Sequence, residues 1–142
     1  MERTTAPRAR QLHGERLRVT WSLVSGQILF VEDDDSVAAS IARLLRSAGH
    51  ACTRAASAEQ AIDYMKRDIP RILISDLYLP DMDGVSFLRR LRADARTRDV
   101  PVIIYTGSYE HDSVDFFLKA GATAYCPKDK PEDLLRLIAE IS

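Results

Sequence analysis

Short unbroken apolar runs alternate along this chain with stretches whose apolar residues recur every three or four positions. An unbroken run suits a strand buried on both faces, and the wider spacing suits a helix with one buried stripe. Ile28-Leu-Phe-Val31 opens the series as a strand ending in Glu32-Asp33-Asp34-Asp35. A helix is predicted over about 36–48, with Val37, Ile41, Leu44, Leu45 and Ala48 on its stripe and Gly49 closing it. Ala51 to Ala55 reads as a weaker strand. Ser57-Ala-Glu-Gln60 has the form of a capping box, starting a helix that buries Ala61, Ile62 and Met65 and ends before Pro70.

The next strand, Ile72-Leu73-Ile74, organises the rest: it stops at Asp76 and runs into Leu77-Tyr78-Leu79-Pro80 and the turn residues Asp81, Asp83 and Gly84. Asp83-Gly84 opens a helix with Val85, Leu88 and Leu91 inward. A charged loop from Ala93 to Asp99 leads to the strand Pro101–Tyr105 and then to Thr106-Gly107. A helix over about 110–120 carries Val114, Phe117 and Leu118 on its stripe and is closed by Gly121. Ala122 to Cys126 is a short strand before Pro127-Lys128, and the last helix begins near Pro131 and buries Leu134, Leu137, Ile138 and Ile141.

Five strands alternating with five helices predict an α/β fold, a doubly wound parallel sheet with right-handed crossovers and helices on both faces. A length of 142 residues suits one domain with a sizeable core. We expect that domain over residues 27–142, ending with the last helix and leaving no room for a second. Residues 1–26 lack a sustained period and are expected to form a flexible extension. Their five Arg against two Glu also suit a basic arm that touches a partner.

The remainder of the chain has 15 basic against 19 acidic residues, which disfavours direct DNA binding. Cys52 and Cys126 sit in apolar segments without a CxxC or Cys/His cluster, so zinc and a disulfide framework are not expected. Buried free thiols suit a reducing cytoplasm. No apolar run approaches the roughly 18 residues a membrane span needs, so no membrane insertion is expected. The expected localisation is cytoplasmic.

Four strands end in polar groups: Glu32-Asp33, Asp76, Thr106 and Lys128. A parallel sheet brings all of these ends to one edge, and acidic ends converge if the first and third strands are neighbours at a switch point. Packed carboxylates repel unless a proton or a cation intervenes. Oxygen ligands without nearby His or Cys select a hard metal, Mg²⁺ above all. A Lys and a Thr hydroxyl beside it suit a dianionic group such as phosphoryl, and a carboxylate can itself be the nucleophile. The ordinary alternative spends Glu32 to Asp35 and Thr106 on capping and leaves Lys128 in solvent.

The ordered set resembles the receiver domain of bacterial two-component response regulators, in its stand-alone single-domain form, over Gln27 to Ile141. The resemblance rests on Ile28-Leu-Phe-Val-Glu32-Asp33, on Ile72-Leu-Ile-Ser-Asp76-Leu-Tyr-Leu-Pro80 with Asp83-Gly84, on Val102-Ile-Ile-Tyr-Thr106-Gly107 and on Gly121-Ala-Thr-Ala-Tyr125-Cys-Pro-Lys128. It implies a flavodoxin-like strand order, 2-1-3-4-5. It also implies that Asp76 takes a phosphoryl group from a sensor histidine kinase, a histidine phosphotransfer protein or a small acyl phosphate. Mg²⁺ would be held by Asp33, Asp76 and the Tyr78 carbonyl, with Glu32 acting through water. Lys128 and Thr106 would meet the phosphoryl oxygens, and Tyr125 would turn inward behind Thr106. Such a chain is not an enzyme beyond its own phosphorylation and dephosphorylation. The family often has a cis proline after the lysine, where this chain has Asp129; Asp129-Lys-Pro-Glu132 can instead cap the last helix.

A pseudo-receiver that binds partners without phosphorylation is the alternative reading, and the complete set at Glu32, Asp33, Asp76, Thr106 and Lys128 speaks against it. A phosphatase with an aspartyl nucleophile would want an acidic residue where Tyr78 stands, and no Gly-rich nucleotide loop is present. Output is expected through a surface that meets a downstream protein or a second copy in a homodimer. Helix phase leaves Phe116 and Leu135 outside their core stripes, with Tyr125 on the strand between, so these three are expected to border that surface.

Overall fold

The computed structural model describes residues 26–107 and 111–141. The expected extension therefore lies outside the described residues but for Gly26. The elements are β1 (Ile28–Val31), α1 (Asp35–Ser47), β2 (Cys52–Ala55), α2 (Ala58–Met65), β3 (Ile72–Ser75), α3 (Gly84–Ala93), β4 (Val102–Thr106), α4 (His111–Ala120), β5 (Ala124–Pro127) and α5 (Pro131–Ile141). The sheet order is β2-β1-β3-β4-β5, with every pairing parallel. The three central strands are buried along their whole length, as their unbroken apolar runs require.

Each face of the sheet carries its own core. On one, Leu29, Val31, Leu73, Val102 and Ile104 meet α2 and α3 through Met65, Phe87, Leu88 and Leu91, with Phe117 and Ala120 of α4 packed alongside. On the other, Ile28, Phe30, Ile72, Ile74 and Ile103 meet α1 and α5 through Ile41, Leu45, Leu134 and Ile138. Both cysteines are buried and free, Cys126 in the second core.

Helix phase departs from the sequence expectation in several places. Ala38 and Ala58 are buried, Val37, Leu44 and Ile62 are only partly so, and Ala48 is exposed at the end of α1. Phe87 takes the core position and Val85 flanks it, because the α3 stripe runs Phe87, Leu88, Leu91. Leu118 is 39% exposed, contrary to expectation; α4 turns Phe117 and Ala120 inward, and Leu118 lies a further step round the helix. Leu135 is not outside its helix stripe: it is partly buried with Leu137 and Ile141 against the second core, since α5 has a wide apolar face.

The fifth strand starts two residues later than expected. The Thr123 hydroxyl accepts from Val102 N at 2.9 Å, so a side chain stands in for a ladder carbonyl before pairing begins at Ala124. The box at Ser57 also differs. Its hydroxyl accepts from Gln60 N at 3.1 Å, but the Gln60 side chain reaches back to Ala56 N rather than Ser57 N.

Candidate functional site at the carboxyl edge of the sheet

Register alone assembles the site. Val31 and Ser75 are partners across β1 and β3, so Glu32 and Asp76 leave adjacent strands at the same level. Thr106 is partner to Pro127 across β4 and β5, which puts Lys128 one residue beyond that pair. The Lys128 amide donates to the Thr106 carbonyl at 2.9 Å and fixes the turn there.

Side chains then converge on Asp76. Its Oδ1 accepts from the Thr106 hydroxyl at 2.8 Å and from Leu77 N at 2.6 Å, and its Oδ2 accepts from Lys128 Nζ at 2.7 Å. The same ammonium donates to Glu32 Oε1 at 2.6 Å. Glu32 and Thr106 are almost completely buried, so neither carboxylate nor hydroxyl is available for the bland surface roles. Burial works against the Lys128 charge, but the hydrogen bonds with Asp76 and Glu32 outweigh it and hold its pKa above the ordinary lysine value.

The acidic run after β1 divides by task. Glu32 joins the site, Asp34 caps α1 by accepting from Val37 N, and Asp35 pairs with Arg54 at 2.8 Å. Asp33 is exposed between them. Arg54 also donates from Nε to the Glu32 carbonyl, bracing the strand end from β2. Sequence reasoning missed Arg54, whose place at the end of an edge strand was its one visible signal.

The loop from β3 to α3 is held closed. Gly84 N donates to the Leu77 carbonyl at 2.8 Å, and a Cβ on Gly84 would lie 2.9 Å from that oxygen. No side chain fits there. Asp83 caps α3 through Ser86 N and Ser86 Oγ. Tyr78, on this loop, is 68% exposed, and its amide lies 3.4 Å from Asp76 Oδ1.

The side-chain ligands this edge offers a cation are all oxygens: those of Glu32 and Asp76, which face the Lys128 ammonium, and those of Asp33, exposed at the end of β1. That donor chemistry fits a hard divalent cation such as Mg²⁺. Among the described residues no three acidic, His or Cys side chains are grouped as a ready metal cage; Lys128 stands between two of the carboxylates instead. Of the expected interface residues, Phe116 is half exposed at 51%, whereas Tyr125 packs against the first core and Leu135 against the second. Among the described residues no side-chain hydrogen bond from Asp129 caps α5; Lys130 O accepts from Asp133 N instead. No cis peptide occurs among the described residues.

Comparison with known proteins gives this edge a family. The phosphate regulon transcriptional regulatory protein PhoB of Pseudomonas aeruginosa is 32% identical over 80% of this chain. This chain spans 50% of PhoB and 35% of the response regulator Rre1 of Synechocystis, half or less of those proteins. Among solved structures, a CheY-like receiver domain protein of Methanospirillum hungatei is 30% identical over 80% of this chain and 90% of its own, with a TM-score of 0.72. Chemotaxis response regulator CheY4 of Vibrio cholerae, at 23% identity, shares the fold with a TM-score of 0.75 over 84% of this chain and all of its own. Residues 28–140 match the family model described as the response regulator receiver domain. With strand order, helix count and sequence match in agreement, this chain belongs to the response regulator receiver domain family.

Proposed function

We propose that Asp76 is the phosphoacceptor of a two-component pathway and that residues 27–142 form the receiver unit. One observation carries this reading: Thr106 and Lys128 donate to opposite oxygens of Asp76, the arrangement that a newly charged group on this carboxylate would need. The phosphodonor is a sensor histidine kinase, a histidine phosphotransfer protein or a small acyl phosphate. A carboxylate oxygen of Asp76 attacks phosphorus as the donor P–N or P–O bond breaks, and the electron pair leaves with the imidazole or the carboxylate. Lys128 follows the negative charge from the Asp76 oxygen to the phosphoryl oxygens, and Thr106 donates to one of them. Asp33, Asp76, the Tyr78 carbonyl and, through water, Glu32 would hold Mg²⁺, which supplies neutralisation of the phosphoryl charge when bound.

Once Thr106 follows the phosphoryl group, Tyr125 gains room behind it, and the surface near Phe116 changes for a downstream protein or a second copy. The chain catalyses nothing beyond its own phosphorylation and dephosphorylation. Two buried free thiols suit a cytoplasmic setting, and no described helix is long and apolar enough to cross a membrane.

Intact mass after incubation with acetyl phosphate and Mg²⁺ tests the assignment. The wild type gains one phosphate, which hydroxylamine removes, while Asp76→Asn and Asp33→Ala gain none. A phosphorylated Asp76→Asn protein would refute it.

A further inference from the structure

A contact from this loop reaches an element that the site does not otherwise use. Asp81 lies between Asp76 and the α3 cap, in the loop that carries Tyr78. Its carboxylate turns away from the pocket and accepts two amides at the start of α2, Ala58 N on Oδ1 at 3.0 Å and Glu59 N on Oδ2 at 2.9 Å. These belong to the first turn of a helix, where donors have no partner within the helix. Ser57 satisfies the next amide, that of Gln60. The α2 start is thus capped twice, once by its own residue and once by a residue more than 20 positions later. A second tie runs in parallel, Arg90 of α3 to Glu59 at 2.9 Å.

A surface turn needs no such bond to form, because the Leu77–Gly84 hydrogen bond and the Tyr78–Asp83 bridge already close it. What the Asp81 bond adds is a fixed position for the loop against the sheet. Leu79 and Met82, on either side of Asp81, pack on the core that α2 completes. Ala58, which receives one of the bonds, is fully buried in that core. The loop is therefore referenced to a packed helix rather than to solvent.

We infer that Asp81 is a positioning residue for the phosphoryl-transfer site: through α2 it fixes the loop bearing the Tyr78 carbonyl, and so sets the affinity for a divalent cation. This inference rests on the phosphoacceptor reading of Asp76. Ser57 provides the control, because it caps the same helix without touching the loop.

Three variants, Asp81→Ala, Asp81→Asn and Ser57→Ala, are compared by amide hydrogen exchange and by Mg²⁺ titration followed by NMR shifts. Asp81→Ala speeds exchange at Tyr78 to Met82 and weakens Mg²⁺ by about tenfold, the low end for partners that orient a metal ligand. Asp81→Asn keeps one acceptor oxygen and falls between Asp81→Ala and wild type. Ser57→Ala loosens α2 but leaves loop exchange and Mg²⁺ affinity as in wild type. Equal loop exchange or equal Mg²⁺ affinity in Asp81→Ala and Ser57→Ala would overturn the inference, since any effect would then come from helix stability alone. Acetyl phosphate labelling of wild type is run alongside: its failure removes the phosphoacceptor reading, while the exchange data still decide whether Asp81 holds the loop.

Discussion

Two half-buried cations sit at opposite edges of the same sheet, and they are coordinated differently. Lys128, at the carboxyl edge, is shared between two carboxylates. Arg92, near the amino edge, is surrounded by backbone carbonyls: Gly121 O at 3.0 and 2.8 Å, Val100 O at 2.8 Å, Arg98 O at 3.0 Å and Thr97 O at 3.2 Å. Burial lowers the pKa of the Arg92 guanidinium, and Asp99 partly offsets this. The planar fork suits this task because its donors diverge in fixed directions. Backbone carbonyls carry no net charge and cannot be phosphorylated, so Arg92 is a lasting fastening of α3 to the turns before β4 and β5. Carboxylates can be neutralised by a metal ion or esterified, so the contacts of Lys128 are exchangeable. A cation over dipoles builds; a cation over charges can be displaced.

Arg92→Ala has the largest expected effect, a loss of about 2–4 kcal/mol in urea unfolding, because several carbonyls lose their donor together. Arg92→Lys recovers less than half of it, as one ammonium cannot reach all four residues. If Arg92→Ala unfolds like wild type, the contrast between the two edges is empty.

Lys128→Ala is expected to cost about 1–2 kcal/mol in chelator, since the buried Glu32 carboxylate loses its ammonium partner and keeps the Asp34 amide as donor. Millimolar Mg²⁺ should restore part of this loss, and Mg²⁺ should bind the variant more tightly than wild type, because an ammonium no longer competes for the same oxygens. Phosphoryl uptake should fall. Tighter binding of Mg²⁺ to wild type than to the variant would show that Lys128 assists the metal rather than exchanging with it.

Side chains away from both edges should matter according to how deeply they pack. Phe116→Ser should leave stability within about 0.5 kcal/mol and Asp76 labelling intact, while weakening association that depends on phosphorylation. Leu135→Ser should cost more, about 1–2 kcal/mol, because that side chain packs on the second core. Equal costs would return Leu135 to the surface.

The smallest effect is a pH dependence at the amino edge. His50 Nδ1 lies 2.7 Å from Arg71 Nη2, and burial, then the Arg71 charge, lowers the imidazole pKa below the ordinary histidine value of 6.5. A depressed folded-state pKa in a base means stability present above pH 6.5 and lost as pH falls through the folded value. Wild type should therefore lose slightly more stability between pH 7 and 5 than His50→Gln does, in matched urea melts. An identical slope would remove His50 from the account.

The difference between the edges also explains what could be read from sequence. Strand runs, helix stripes and polar strand ends follow from periodicity, and Glu32, Asp76, Thr106 and Lys128 meet as the strand order requires. Arg92 was hidden because it lies in the run Arg89-Arg90-Leu91-Arg92, where each Arg looks like a solvated helix residue. Its acceptors are carbonyls, and these leave no trace in a sequence. Asp81 was hidden similarly, since a turn acid gives no sign that it caps a helix already passed. Leu118 and Leu135 were misjudged because apolar neighbours on one helix leave its phase open by one position, and only the packed neighbours decide it.

Pro127 ends β5, and strand geometry makes it more than a terminator. Lys128 N points toward β4, so by alternation the residue before it faces the open side of the sheet. A proline there offers no N–H to a newcomer. The opposite edge, β2, presents only four residues and includes the charged Arg54. Both borders therefore resist the addition of a foreign strand, which protects a small, strongly apolar sheet from growing into aggregates at high concentration. Any self-association of this unit would then run through helix side chains, where it can be made conditional, rather than through backbone pairing, where it could not.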